Sequence, residues 1–318
     1  MRALRAHSLD GPSALSVDEV PDPAAVVGAV RVAVHAAGVG FVDTLVTRGL
    51  YQVRQQPPFP PGMEVAGVVE SAPAYSGRNV GDRVYASLPA GGCAETVWAD
   101  EHLVAPLPER LSFAQGAALV VNDHTAHVAL ARRAGLRPGE SVLVHGAAGG
   151  LGLAAVRIAA ALGARVTAVA STSERRDAAL GAGAEQVYGP DEWLDAVRAV
   201  GGVDVIVDPI GGDVFDASLR ALAIEGRLLT LGYVSGRIPS APANRLLLRN
   251  SDVRGVNWLG LIEAHPTLFR STADGLARLL NAGMPSPVVV EYDFADGAKA
   301  FADLEARAVI GKAVLRLR

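Results

Sequence analysis

The chain has 318 residues, a length that suggests about two domains, each able to bury its own core. Half of the residues are hydrophobic, 19% are charged, and the 35 glycines and 19 prolines are dispersed, which excludes a low-complexity or fibrous chain. A net charge of −4 leaves no electrostatic footprint for nucleic acid or an anionic membrane, and neither is expected as a partner.

Met1 to His7 lacks the apolar core of a signal peptide, and no uninterrupted apolar run is long enough to cross a bilayer, so a cytoplasmic protein is expected. The first third reads as β-rich. Short strands are predicted at Val30 to Ala36, Glu64 to Val69, Gly81 to Tyr85 and Ala94 to Trp98, separated by Pro and Gly turns such as Gln56 to Gly62. The single cysteine, Cys93, excludes an intramolecular disulfide and a Cys-cluster zinc site. It reads as a small buried hydrophobe, with a catalytic thiol as the alternative.

From Ser112 the pattern changes to a helix that runs through Ala129 to Arg133. Strands alternating with helices follow, at Ser141 to Val144, Val166 to Ala170, Gln186 to Tyr188, Val203 to Asp208 and Arg227 to Leu231, the signature of a doubly wound parallel sheet. Between the first of these strands and an apolar helix from Leu151 to Leu162, interrupted by Arg157, lies the turn Gly146-Ala147-Ala148-Gly149-Gly150-Leu151-Gly152. There Gly149 lets the backbone approach a pyrophosphate, Gly152 lets the helix pack closely on the strand, and the free N–H groups of the helix start hold the phosphate charge. Ala147 stands at the first glycine position of G-x-G-x-x-G, so the match is incomplete. The flanking strand and helix favour a nicotinamide dinucleotide site over a plain structural turn.

After Val166 to Ala170, a site for the unphosphorylated cofactor would place an Asp or Glu against the ribose 2′-hydroxyl. The chain reads Ser171-Thr172-Ser173-Glu174-Arg175-Arg176 instead. Two small donors and an arginine fork suit a 2′-phosphate, so NADPH is the expected cofactor. The alternative makes the arginines solvated first-turn residues of the next helix and Glu174 the ribose partner.

Beyond Trp258 a helix around Thr267 to Ala282 ends at Gly283-Met284-Pro285, and a closing strand is predicted at Ala313 to Leu317. A returning tail gives a nucleotide domain, residues 123–264, inserted into a catalytic domain of residues 1–122 and 265–318. A cleft between the two domains would receive the substrate.

Eight motifs in order carry a resemblance over the whole chain: Ala37 through Asp43, Gly49 to Gln52, Pro58 to Gly67, Gly81 to Val84, His145 to Leu153, Asp208 to Gly212 with Gly226-Arg227, Pro242 to Asn244, and Gly311 to Leu315. On these the chain resembles the zinc-independent quinone oxidoreductase branch of the medium-chain dehydrogenase/reductase superfamily. The resemblance implies an α/β protein, a Rossmann sheet inserted into a barrel-like, GroES-like domain, assembled as a homodimer through the sheet edge near Leu228 to Leu231 and Val253 to Trp258. It implies hydride transfer from NADPH to a quinone or activated alkene. Zinc-dependent relatives place a Cys at Gly40, a His at Met63 and a third ligand near Val121, none of which can bind zinc here. Quinone reductases of the branch often have an Asn at Gly40 and a Tyr at Leu45; their loss makes an enone or enoyl thioester an alternative substrate. Crystallin-like or sensor binding of NADPH without turnover is the non-enzyme alternative.

By the same resemblance, the catalytic candidates are Tyr51, Asn122 and Thr125. The cofactor-binding candidates are Thr125, Ala147, Gly149, Gly150, Leu151, Gly152, Ser171, Thr172, Arg175, Tyr188, Gly232, Trp258 and Arg307. Several have a second reading: Tyr51 as a packed loop aromatic, Trp258 as the core of an interface, Arg307 and Lys312 as surface charges. Asp123 reads equally as a helix N-cap. His124 reads as a proton donor or as an exposed or cap-region histidine, and Glu64 as a carboxylate at the substrate cleft or one bonded to nearby backbone.

Overall fold

Arg2–Ala6, with Ala3, Leu4 and Ala6 buried, forms β1, paired antiparallel with β2 (Leu15–Glu19). The computed structural model describes residues 1–52 and 54–318. It divides into two units: residues 1–121, 266–273 and 286–318, and residues 122–265 and 274–285. In the first unit β3 (Ala29–Val39) is followed by α1 (Phe41–Thr47), β4 (Glu64–Ser71), β5 (Arg83–Ser87), β6 (Thr96–Asp100), β7 (Val104–Pro106) and α2 (Phe113–Ala118). Ser112 and Gln115 cap α2 reciprocally. The expected strand at Val30 to Ala36 thus runs on to Val39, and those at Gly81 to Tyr85 and Ala94 to Trp98 each lie two residues later. The β1–β2 ribbon was not expected, because neither residue type nor burial along β1 follows a two-residue period.

The second unit begins within a continuous helical run, residues 113–134, that widens to π geometry at Leu119–Asp123 and Val128–Ala134 around α3 (His124–His127). Then come β8 (Ser141–Val144), α4 (Gly150–Ala161), β9 (Arg165–Val169), α5 (Ser173–Gly181), β10 (Gln186–Tyr188), α6 (Trp193–Ala199), β11 (Val203–Asp208), α7 (Gly212–Ser218), β12 (Leu222–Thr230), α8 (Ala243–Arg249), β13 (Asp252–Gly255), α9 (Trp258–Ala264) and α10 (Leu268–Asn281), whose residues up to 273 are counted with the first unit and the rest with the second. The strands form one parallel sheet in the order β10-β9-β8-β11-β12-β13. Its central strands are buried by Leu143, Ile206 and Leu228. The chain moves outward from β8 to β10, then returns to β11 and moves outward the other way. The carboxyl ends of β8 and β11 therefore flank the topological switch point, where ligands bind in such sheets. β12 begins five residues before the expected Arg227, bending at Glu225, whose φ is 60°.

The chain returns to the first unit with β14 (Val289–Asp293), α11 (Gly297–Glu305) and β15 (Lys312–Arg316). The sheet order is β14-β15-β3-β4-β5-β7. One side of β3 pairs with β6 over Ala29–Ala33 and then with β15 over Ala36–Val39. This exchange of partners along one strand turns a sheet corner, as barrel-like folds require. Val30, Val32, Val65, Val84, Phe301 and Leu315 are among the side chains of its core. Among the described residues no helix is long and apolar enough to cross a membrane.

Candidate functional site

The carboxyl edge of the parallel sheet is built by backbone bonds that continue each ladder past its strand. Ala170 N–H donates to Tyr188 O at 3.1 Å, Ala147 N–H to Val169 O at 3.1 Å and His145 N–H to Val207 O at 3.1 Å. Leu231 N–H donates to Asp208 O and Val256 N–H to Thr230 O, both at 3.0 Å. Tyr188, Ser171, the turn at Ala147, Gly232 and Trp258 thus lie at or just past the strand ends of one sheet edge. The fold brings these sequence candidates together; Tyr51 and Arg307 belong to the other unit.

Gly146 takes the left-handed conformation of the turn, with φ 60°, so Ala147 is unstrained and fully buried at the position where the motif has its first glycine. A Cβ on Gly152 would lie 2.1 Å from Gly146 O and 2.7 Å from Ala147 Cα. Only glycine lets α4 start this close to the strand. Gly149 is the N-cap of α4 and brings no side-chain oxygen, so the half-buried Gly149, Gly150 and Leu151 face outward with a bare helix start. Just past the neighbouring strand β9, Thr172 caps α5, its Oγ1 accepting the Arg175 N–H at 3.4 Å, while Ser171 is exposed. Arg175 and Arg176 sit in the first turn of α5 and both are half-buried; Arg176 donates to Ala170 O at 3.3 Å rather than projecting freely into solvent. The Tyr188 hydroxyl donates to Gln186 Oε1 at 3.0 Å. Gly232 is half-buried, and a Cβ there would lie 3.4 Å from Pro209 O.

Asp123 is not a helix cap. Its backbone is helical within the continuous run, and its carboxylate accepts from Arg157 Nη2 at 2.5 Å, each side chain only 2% exposed. The other Arg157 terminal nitrogen donates to Pro285 O at 2.8 Å. The arginine that interrupts the apolar face of α4 is therefore a buried tie to the helix that carries Asn122 and Thr125, which are half-buried and buried respectively. His124 is neither exposed nor a cap: it is fully buried, 5.1 Å edge-on from the buried Trp258 ring. Burial, aided by His127, pushes its pKa down to about 3 and keeps the ring neutral, so it is no proton reservoir at ordinary pH. His145, buried beside Trp193 and bonded to Ser218 at 2.8 Å, is also lowered by burial to about 3.

In the first unit the structure assembles a charged cluster that local reading missed. Lys312 is 3% exposed rather than a surface charge, and its ammonium is bonded to Glu64 Oε1. Glu64 Oε2 accepts the Val121 N–H at 2.9 Å, inside the widened turn Leu119–Asp123. Glu64 thus bonds both a buried ammonium and backbone. Asp43, also buried, accepts the Gly40 N–H at 2.8 Å. Burial pushes its pKa up to about 6, against the pull of Lys312. The half-buried Tyr51 has its pKa raised by burial and by the charge of Asp43. Cys93 is fully buried and its thiol pushed up by burial, which suits a small core residue and not a reactive thiolate. Arg307 is exposed, with φ 56°, in the turn after α11. The signals for this cluster in the sequence are Glu64 and Lys312, each a charge that opens an apolar run.

The zinc-binding dehydrogenase family model matches residues 150–274, and the alcohol dehydrogenase GroES-like domain matches residues 27–109. The chain is 37% identical to quinone oxidoreductase-like protein 2 of Bos taurus, over 91% of this chain and 85% of that protein. A probable oxidoreductase from Mycobacterium abscessus shares the fold at a TM-score of 0.92 and 42% identity, covering 99% of this chain and 98% of that one. The quinone oxidoreductase from Thermus thermophilus, also solved as its complex with NADPH, gives a TM-score of 0.85 at 39% identity, with 100% of each chain covered. With the inserted parallel sheet and the glycine turn at its switch point, these likenesses show that the chain belongs to the medium-chain dehydrogenase/reductase superfamily, in its quinone oxidoreductase branch.

Proposed function

We propose that this chain is an NADPH-dependent, zinc-independent reductase of quinones or activated alkenes. The observation that carries the reading is the close approach at Gly152, which leaves a bare helix start at the switch point beside a strand end with no carboxylate at Ser171-Thr172. These residues fit the cofactor. The N–H groups of Gly150, Leu151 and Gly152, with Gly149 letting the backbone approach and Ala147 closing the turn, would hold the pyrophosphate, since the Gly149 N–H is bonded to Gly146 O within the turn. Ser171, Thr172 and Arg175, with Arg307 as a second cation, would hold the 2′-phosphate. Tyr188 would cover the adenosine, while Thr125, Gly232 and Trp258 would line the nicotinamide end. When bound, NADPH supplies the hydride. Tyr51 and Asn122 would donate to the substrate oxygen as its negative charge grows, which is where fixed donors lower the barrier. Gly40, Met63 and Val121 offer no side-chain zinc ligand, so polarisation falls to such donors.

The absence of polar side chains at Gly40 and Leu45 supports a second substrate class, enones and enoyl thioesters. The test follows NADPH oxidation with a simple quinone, an enone and an enoyl thioester, with and without a chelator. Turnover of at least one acceptor, unaffected by chelation, is expected. NADPH binding without any turnover would favour the crystallin-like or sensor reading, and tightly bound stoichiometric zinc would sink the metal-free chemistry.

A homodimer belongs to the same reading, with one adjustment. Leu228 and Leu229 are fully buried, and the pairing of β13 with β12 takes their strand away from the sheet edge, so they offer no contact. The edge strand carries Asp252 and Arg254, and the exposed apolar side chains nearby in sequence are Leu247 and Leu248 of α8. Light scattering should give twice the chain mass; a stable monomer at micromolar concentration would contradict the dimer.

A further inference from the structure

The Glu64 carboxylate runs through the first unit because Gly38 has no side chain: a Cβ there would lie 2.6 Å from Glu64 Cγ and 3.1 Å from Ala117 O. At its end one oxygen meets the Lys312 ammonium and the other the Val121 N–H. That amide belongs to a widened turn, where the regular helical bond pattern is broken and backbone groups need outside partners. Asn122 is the next residue. Lys312 reaches the cluster from β15, a strand paired with both β14 and β3, so the ammonium is delivered by a fixed element. Its Nζ lies 3.1 Å from where a Cβ of residue 40 would stand, with Asp43 Oδ2 at 3.6 Å and Glu64 Oε1 at 3.8 Å from the same point. The cluster therefore holds one ammonium among two buried carboxylates, and the space beside it is kept open by a glycine.

We propose that Lys312 is a positioning residue for catalysis: its buried ammonium fixes Glu64, and Glu64 fixes the Val121 amide and with it the turn that presents Asn122. The proposal rests on the reading of Asn122 as a substrate-oxygen donor. A buried carboxylate that loses its cation must take up a proton or shift toward another donor. Either change loosens its grip on the Val121 N–H. The turn then samples more than one arrangement, and Asn122 no longer meets the substrate oxygen at one fixed place. A displacement of this kind is felt in the chemical step more than in cofactor binding, because donor geometry matters most where charge develops.

The test uses the full chain with Lys312→Met, Lys312→Arg and the uncharged pair Glu64→Gln/Lys312→Met, measuring kcat, KM, NADPH affinity and amide hydrogen exchange over residues 119–125. Lys312→Met is expected to lower kcat about tenfold to a hundredfold. NADPH affinity should stay within about twofold of the unaltered chain, since the ammonium lies outside the glycine turn. Val121 exchange should rise about tenfold or more, and Lys312→Arg should restore most of the loss. The double variant removes both members of the Glu64–Lys312 pair and leaves Asp43 as the remaining buried acid of the cluster, so it tests the proposal even if Lys312→Met does not fold, and it should still show the low kcat and fast exchange. Wild-type kcat and unchanged exchange in the double variant would overturn the proposal, as would a parallel loss of kcat and NADPH affinity. If the unaltered chain reduces no acceptor, the reading of Asn122 fails, while the exchange measurement still decides whether Lys312 holds the Val121 amide.

Discussion

Replacing Asp123 by leucine leaves the Arg157 guanidinium in a site where its side chain is 2% exposed, with the Pro285 carbonyl at 2.8 Å but no carboxylate at Nη2. Removing one member of a buried ion pair costs about 3–5 kcal/mol, most of it the penalty of a charge left without its counter-ion. For a unit of this size each kcal/mol moves the midpoint by roughly 2–4 °C, so the melting transition of the cofactor unit should fall by about 6–20 °C. Asp123→Leu/Arg157→Met removes both charges while keeping apolar volume. It should recover most of the loss, to within about 1–2 kcal/mol of the unaltered chain. Calorimetric melts of the two variants and the parent, at pH 7.5 and without cofactor, measure this directly. A single variant that melts within about 1 kcal/mol of the parent, or a double variant no better than the single, would refute the buried-pair account.

Arg175→Ala should weaken NADPH binding about tenfold to a hundredfold and leave NADH nearly unchanged, the effect of one lost charge-assisted contact; equal losses for both cofactors in titrations would show that the 2′-phosphate reading is wrong. Gly152→Ala puts a methyl group 2.1 Å from Gly146 O and should displace the turn, so cofactor titration should show binding of both NADPH and NADH lost together. Unaltered binding would remove the close-packing argument. His124 and His145 are both held at about 3, below their ordinary 6.5, so between those pH values the unfolded chain takes up protons that the native one refuses. Stability is full above about pH 6.5 and falls toward pH 3, by up to roughly 1.4 kcal/mol per pH unit for each ring. Asp43, raised to about 6, belongs to the other unit and acts oppositely there, its contribution growing as pH falls from above 6 toward 4. Urea midpoints of the cofactor unit at pH 7.5 and pH 5 should differ accordingly, and His124→Leu should flatten the slope; a pH-independent midpoint would contradict the buried neutral rings.

The parallel sheet was legible because each of its signals is local: β10 and β11 lie where the alternation of strands and helices predicts, and the glycine turn sits between a strand and a helix. What local reading missed depended on partners far along the chain. Asp123 has a residue type favoured at helix starts, yet its role is set by Arg157, 34 residues on. Lys312 carries a charge usually found on surfaces, and only the carboxylate 248 residues away explains its burial. The first glycine of the motif also shifted, since the turn needs its left-handed residue at 146 and not at 147. The site inherits the same division. Its cofactor edge can be read from pattern, whereas the cluster around Glu64 exists only once β4, β15 and the widened turn are together.

The place of β15 between β14 and β3 also sets an order of assembly during synthesis. A ribosome releases residues 122–265 of the cofactor unit before any of β15, so that unit can pack while the other still waits for its last strand. Until residues 312–316 emerge, the Ala36–Val39 edge of β3 lies open in the nascent chain, an invitation to wrong strand partners. Removing residues 312–318 would reopen the edge and take the Glu64 counter-ion with it.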